Sequence, residues 1–275
     1  MGFGTAEPTI ADAARAVLLT ADPREKVMIS RAFARRWRQG GLRHAFPVTM
    51  PDVPARPALP ELLPPGRMPK RGRAGSARSR VALLHALAHI EYGAIDLAWD
   101  MAGRFGAGMP RAFADDWISV AADEALHFAL LDRRLGGLGS HYGALPAHDG
   151  LWEAAAATRH SLIARLAVVP QVLEARGLDV TPQTVERLRA AGDVRSAAIL
   201  QRIYVDEIRH VSAGNRWFRH VCTAAGTDSA STFHDAVQQY FRGQLKPPFN
   251  DSARESAGLT RDFYLPIAMS DPATA

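Results

Sequence analysis

The chain has 275 residues, 47% of them hydrophobic and 22% charged, a globular composition that excludes a mainly disordered, collagen-like or charge-tract protein. The net charge of +5 is local, because the segment from Arg67 to Arg80 carries six basic residues and no acid, leaving −1 for everything else. A single cysteine, Cys222, excludes an internal disulfide and any Cys-based cluster within one chain, so a bound metal needs His and carboxylates.

Residues 11–38 read as two short helices, the second with Asp22 as N-cap, Pro23 in its first position and Gly40 and Gly41 as its stop. Between Phe46 and Pro69 lie eight of the eighteen prolines, three or four apart, a spacing that forbids helix and sheet interior. An extended strap is expected there, with Val53, Leu59, Leu62 and Leu63 packing on the main domain. Four long helical patterns follow. They cover 80–104, ended by Gly103, Gly106 and Gly108; 111–135, stopped by Gly136 and Gly137; 151–176, stopped by Gly177; and 194–222 behind an Asp193 cap. A short helix from Thr181 to Gly192 separates the last two, and a further helix over 232–245 precedes a tail with Pro247, Pro248, Phe263 and Tyr264. No segment alternates like a strand. The expectation is an all-α fold: N-terminal helices and a proline-rich strap over 1–78, an antiparallel four-helix bundle over 79–225, and an extra C-terminal helix with a tail over 226–275. No stretch approaches 18 uninterrupted apolar residues and the N-terminus lacks a secretory layout, so a cytoplasmic location without a membrane is expected.

The informative residues are acids on faces that should be dry. Glu91 has Leu84, Leu87, Ala88, Ile95 and Ala98 as its helical neighbours. Glu124 and His127 share a face with Trp117, Val120, Ala121, Phe128 and Leu131, and Glu207 and His210 share one with Leu200, Ile203, Val211 and Gly214. Glu174 lies beside Ala167 and Leu178. A lone Glu-x-x-His is commonly a solvated pair, but here Glu91 to Glu124 and Glu174 to Glu207 are both 33 residues apart, and both second members begin Asp-Glu-x-x-His. The midpoint of the first interval falls in the FGAGMP turn, so that hairpin brings Glu91 and Glu124 to one depth. The second fits less simply because Gly177 and the short helix intervene.

Buried carboxylates without partners cost several kcal/mol each. Two metal ions would neutralise four of them, and one Glu from each of two helices plus Glu-x-x-His from each of two others is the ligand set of di-iron and di-manganese bundles. The metal and catalytic candidates are therefore Glu91, Glu124, His127, Glu174, Glu207 and His210. Asp123 and Asp206 are candidates to accept a second ring N–H from a ligating His, and Tyr204 could donate a hydrogen bond near the metals. His85 and His89 point away from the Glu91 face, and His148 and Asp149 read as a loop and helix cap.

The strings LLHALAHIEYGAIDLAWD, HFALLDRRL, HYGALPAHDGLW, VPQVLEARGLDVTP and DEIRHVSAGNRWF resemble an uncharacterised bacterial ferritin-like di-iron domain family, related more distantly to the tRNA hydroxylase acting on a hypermodified adenosine. The resemblance spans about residues 45–225. It implies a ferritin-like bundle and a non-haem centre of two iron ions on the same six ligands. DEIRH also matches the D-E-x-R-H form of multicomponent di-iron monooxygenases, whereas DEALH lacks the Arg. The expected function is an O2-activating oxidase or hydroxylase with an external electron donor and an unassigned organic substrate. RNA or a modified nucleoside is one candidate substrate, through the Arg67 to Arg80 patch. Ferroxidase or iron-storage activity in a ferritin-like cage and di-manganese catalase chemistry are the alternatives, and a homodimer is possible. A rubrerythrin-type enzyme lacks its Cys centre, and a metal-free scaffold needs more Arg partners than Arg209.

Overall fold

Capping residues and apolar spacing set the elements of the computed structural model, which describes residues 7–68 and 76–269. Among these residues the chain is helical, with two isolated bridges and no strand. It divides into two compact units, Met1–Trp152 and Glu153–Ala275.

In the first unit, α1 (Ile10–Leu18) opens on a reciprocal Thr9–Asp12 capping box. Helix α2 (Pro23–Arg38) starts where Asp22 accepts the N–H groups of Arg24 and Glu25, as the sequence suggested. Helix α3 (Ala77–Phe105) and helix α4 (Arg111–Gly136) form a hairpin around the turn Gly106–Gly108, with α1 packed on α3 and α2 on α4. Gly103 does not end α3. It lies inside the helix at a close approach, where a Cβ would stand 2.5 Å from Met50 Sδ and 2.7 Å from Ala14 Cβ. The stretch Ala77–Gly108 is long and apolar enough to cross a membrane, and 67% of its apolar window is buried by the chain itself.

The strap is extended, but three of its four expected apolar anchors are exposed and the fourth, Leu63, is half-buried. Val53, Leu59 and Leu62 are 67%, 58% and 41% exposed. Its hold comes from buried Met50, Pro54 and Pro60, from Ala55 N–H on Leu18 O, and from paired backbone bonds between Glu61–Leu63 and Ala147. Prolines that occupy the strap cannot donate, so polar anchoring falls on the few residues between them. Residues 69–75, the middle of the basic segment, lie outside the described residues.

The loop after α4 returns onto α3. His85 Nε2 accepts the N–H of Gly143 (3.0 Å) and of Leu145 (3.4 Å), and His89 Nδ1 meets the Tyr142 hydroxyl at 2.9 Å. Burial lowers both imidazoles to about 4, so both are neutral, as two accepted backbone bonds at His85 require. Because the folded pKa is depressed, stability is complete above the unfolded value of 6.5 and is lost as pH falls toward 4. Denaturant titrations between those pH values are expected to show about one proton taken up per histidine on unfolding, and His85→Gln is expected to remove its share.

In the second unit, α6 (Leu162–Val168), a π-helical segment (Val169–Glu174) and α7 (Ala175–Ala190) run on without a break and turn back into α8 (Val194–Ala225), which Asp193 caps. The expected helix over 151–176 is thus replaced by α5 (Gly150–Ala157), which spans the boundary between the units, and by this longer rod. Gly177 does not stop it, and no separate helix begins at Thr181, because Pro182 sits inside α7. Each proline in the rod leaves a carbonyl without its N–H four residues on, and a side-chain amide replaces it. Gln171 Nε2 donates to Leu166 O (3.0 Å) behind Pro170, and Asn250 Nδ2 donates to Leu178 O (3.1 Å) behind Pro182. Helices α9 (Ser229–Tyr240), α10 (Asp251–Ser256) and α11 (Arg261–Met269) follow, so the tail holds two helices beyond the expected one. Phe218 meets Phe233 and Phe263 edge to face, those two rings pack tilted on each other, and together they join α8, α9 and α11. Gln171→Leu leaves the fully buried Leu166 carbonyl without this donor, and calorimetric or denaturant unfolding is expected to register a loss of about 1–3 kcal/mol.

Candidate metal centre

The first unit brings three of the six candidate ligands together. The midpoint between Glu91 and Glu124 lies within Gly106–Gly108, so the α3–α4 hairpin sets both carboxylates at one depth. His127 Nδ1 lies 3.3 Å from Glu91 Oε2 and 3.4 Å from Glu124 Oε2, with no side chain of the three more than 5% exposed. One donor atom from each of the three falls within 4.8 Å of the others, close enough for a single ion. Burial and the neighbouring Glu124 charge push the Glu91 carboxyl well above its usual range. At His127 burial would lower the pKa, yet hydrogen bonds and charge from both carboxylates raise it to about 11. Two acids and one imidazole in a dry interior suit a hard or borderline cation.

The second unit repeats the pattern. Helix α8 carries Glu207 and His210, whose Oε1 and Nδ1 are 3.6 Å apart, with side chains 12% and 1% exposed. Because the rod is continuous, the midpoint between Glu174 and Glu207 falls at the end of α7, and the second 33-residue interval follows the same hairpin rule as the first. Glu174 is the last residue of the π-helical segment, where Ala175 N–H reaches five residues back to Pro170 O. Such single-turn π-bulges are frequent at functional sites, and this one sets the register at which Glu174 leaves the rod. Helix α8 meets the bulge at Gly214, where a Cβ would stand 2.4 Å from Pro170 Cβ. Asn215 Nδ2 donates to Gln171 Oε1 (3.0 Å), tying α8 to the bulge.

The remaining candidates divide. Asp206, 3% exposed, accepts from Arg202 Nε and Arg209 Nη2 on its own helix. Asp123 is half-buried on α4. The Tyr204 hydroxyl meets Asn250 Nδ2 at 3.2 Å. His148 Nδ1 accepts the Gly150 N–H and Asp149 pairs with Arg56, in keeping with a loop and helix start.

Sequence reasoning missed a buried ion cluster near the site. Asp96, one turn beyond Tyr92 on α3, is fully buried between Lys26 Nζ (2.5 Å) and the Arg56 guanidinium. Burial raises the Asp96 carboxyl and lowers the Lys26 ammonium, while their mutual attraction opposes both shifts. Lys26 and Arg56 also lie over the Tyr92 ring. An acid inside the unbroken buried run 91–103 was the available signal for Asp96; nothing local marks Lys26 as its partner.

A model of the family described as "Protein of unknown function (DUF455)" matches residues 19–265. The chain belongs to this family. An uncharacterized protein of Haemophilus influenzae is similar to it, 41% identical over 224 residues that cover 78% of this chain and 77% of the relative. No solved structure matches.

Asp96→Asn strips a buried ammonium and guanidinium of their counter-charge, and denaturant unfolding is expected to show a loss of about 3–5 kcal/mol. Glu91→Gln removes one of two crowded carboxyls, so the metal-free protein is expected to melt at a higher temperature than its parent while losing any stabilisation by added metal.

Proposed function

We propose that this chain is a non-haem di-iron carboxylate oxidase or hydroxylase, and that its two hairpins, α3–α4 and α6–α8, pack as a ferritin-like four-helix bundle. The observation that carries the proposal is the buried Glu91–Glu124–His127 trio, whose pattern and spacing recur in Glu174, Glu207 and His210. On this reading all six side chains together hold two ions. Four carboxylates balance four positive charges, which matches two ferrous ions, and two neutral imidazoles leave coordination positions open to a small molecule. When bound, an iron pair would pass two electrons from an external donor to O2, and the remaining two electrons of O2 reduction would come from the organic substrate, which is thereby oxidised or hydroxylated.

The chain's own residues account for the rest. Trp117, Phe128 and Leu131 wall α4 around the ligands and keep water from them. Asp206 holds Arg202 and Arg209 on the outer side of α8, so neither guanidinium is needed to balance the ligand acids. The His127 ring is oriented by two carboxylates, which fixes its donor atom toward the cluster. RNA or a modified nucleoside is the substrate class suggested by the basic segment from Arg67 to Arg80.

Anaerobic loading with ferrous iron is expected to give two irons per chain by elemental analysis, and O2 addition is expected to change the absorption spectrum. Glu91→Ala and Glu207→Ala are each expected to lower iron content by about half or more. No iron retained by the folded parent would overturn the proposal, two manganese ions retained in preference to iron would replace it with catalase-type chemistry, and a many-subunit shell by size exclusion would favour storage.

A further inference from the structure

Helix α2 carries an outward ridge that the metal centre does not use. Arg24, Arg31, Arg35 and Arg38 are exposed and recur at steps of seven, four and three residues. At 3.6 residues per turn they lie within about 60° of one another along a ridge about 21 Å long. None of the four guanidinium groups has a partner among the described residues, and Glu25 is the one exposed acid on the helix. A second arginine series on α8, Arg195, Arg202, Arg209 and Arg216, is spaced by sevens, but Arg202 and Arg209 are already committed to Asp206.

A cleft opens at each end of the α2 ridge. Near Arg24 a cleft of about 560 Å³ has an apolar floor that includes Phe128 and the 64% exposed Met28, with Arg133 of α4 on its rim. Near Arg38 a cleft of about 400 Å³ is lined by Trp37 and Arg111, whose guanidinium covers the indole at 3.7 Å. The Trp37 Nε1–H donates to Asp115, so the indole is fixed and Arg111 presents a flat cationic face.

We propose that this face of the first unit binds single-stranded nucleic acid, with phosphates along the α2 arginines and bases seated in the two clefts. Successive arginines of the ridge rise by about 10, 6 and 4.5 Å along the helix, an uneven row of cations that can follow a flexible phosphate backbone rather than fit one fixed register. Flat guanidinium planes and apolar pockets accept bases without regard to sequence. An anionic membrane is disfavoured, because Met28 is the single large apolar residue exposed on α2 and leaves no apolar face to insert.

The test is anisotropy of a labelled oligouridine with full-length protein across a salt series. The parent is expected to bind with strong salt dependence, and Arg31→Gln/Arg35→Gln/Arg38→Gln to weaken binding about tenfold or more while reducing the log–log salt slope by about two. A melting scan confirms that these exposed substitutions leave the fold intact, and iron loading is expected to be unchanged, which separates this surface from the metal reading. The control Arg195→Gln/Arg216→Gln is expected to bind like the parent. Equal weakening in that control, unaltered binding in the triple variant, or binding to phosphatidylserine vesicles but not to oligouridine would overturn the proposal.

Discussion

Everything distinctive about the first unit follows from placing carboxylates where water cannot reach them. Helix α3 is buried along the whole run 91–103, and within that run sit three acids, Glu91, Asp96 and Asp100. Desolvating such groups costs several kcal/mol each, and the chain meets that cost in two different ways. Asp96 and Asp100 have cations built into the protein: Lys26 and Arg56 for the first, Arg104 one turn on for the second. Glu91 instead faces another acid, Glu124, and one imidazole. Lysine and arginine thus serve two of the three acids, whereas Glu91 and Glu124 share a single imidazole, at most one positive charge for two carboxyls, which makes this the place where an added cation could fit.

The second unit carries its own set of candidates, Glu174, Glu207 and His210, on a less regular hairpin. The rod that carries Glu174 contains two prolines and a glycine, each of which weakens a helix. It stays helical because Gln171 and Asn250 donate to the two carbonyls that the prolines leave behind. Asn250 also caps α10, accepting the Ala253 N–H, and Arg254 forms a bidentate pair with buried Asp179. The C-terminal segment is therefore part of the scaffold for α7: it repairs the break at Pro182 and fixes the residues just beyond Glu174.

These contacts also explain what the sequence could and could not disclose. The all-helical class, the Asp22 and Asp193 starts, and the candidate ligands on apolar faces rest on local spacing, which is visible in one chain. The fate of Gly177 and Pro182 depended on a donor 72 residues away, from Leu178 to Asn250, and no local pattern announces it. For the same reason the second 33-residue interval looked irregular although the hairpin is as simple as the first. The strap shows the converse error. Its leucines and valine seemed the natural anchors, but a segment rich in proline has few N–H groups to place, and its position is set by Arg56 and by paired bonds at Ala147.

The route from strap to candidate site runs through a few non-covalent contacts. Arg56 reaches Asp96, Lys26 holds the same carboxylate from α2, and both cations lie over the ring of Tyr92, the residue next to Glu91. Tyr92 in turn sends its hydroxyl to Ala21 O, ahead of α2, and its ring packs on Phe128, the residue next to His127. Two candidate ligands on different helices are thus flanked by a pair of aromatic rings in contact, and one of those rings is fixed by the ion cluster. A buried ion pair adds little net stability compared with an apolar core, but removing one member is costly, so the arrangement tolerates few alternatives. That intolerance suits a site whose donor atoms must stand within a few ångströms of one another. Lys26, Arg56 and Asp96 therefore belong to the architecture of the candidate metal centre although none of them has a donor in it.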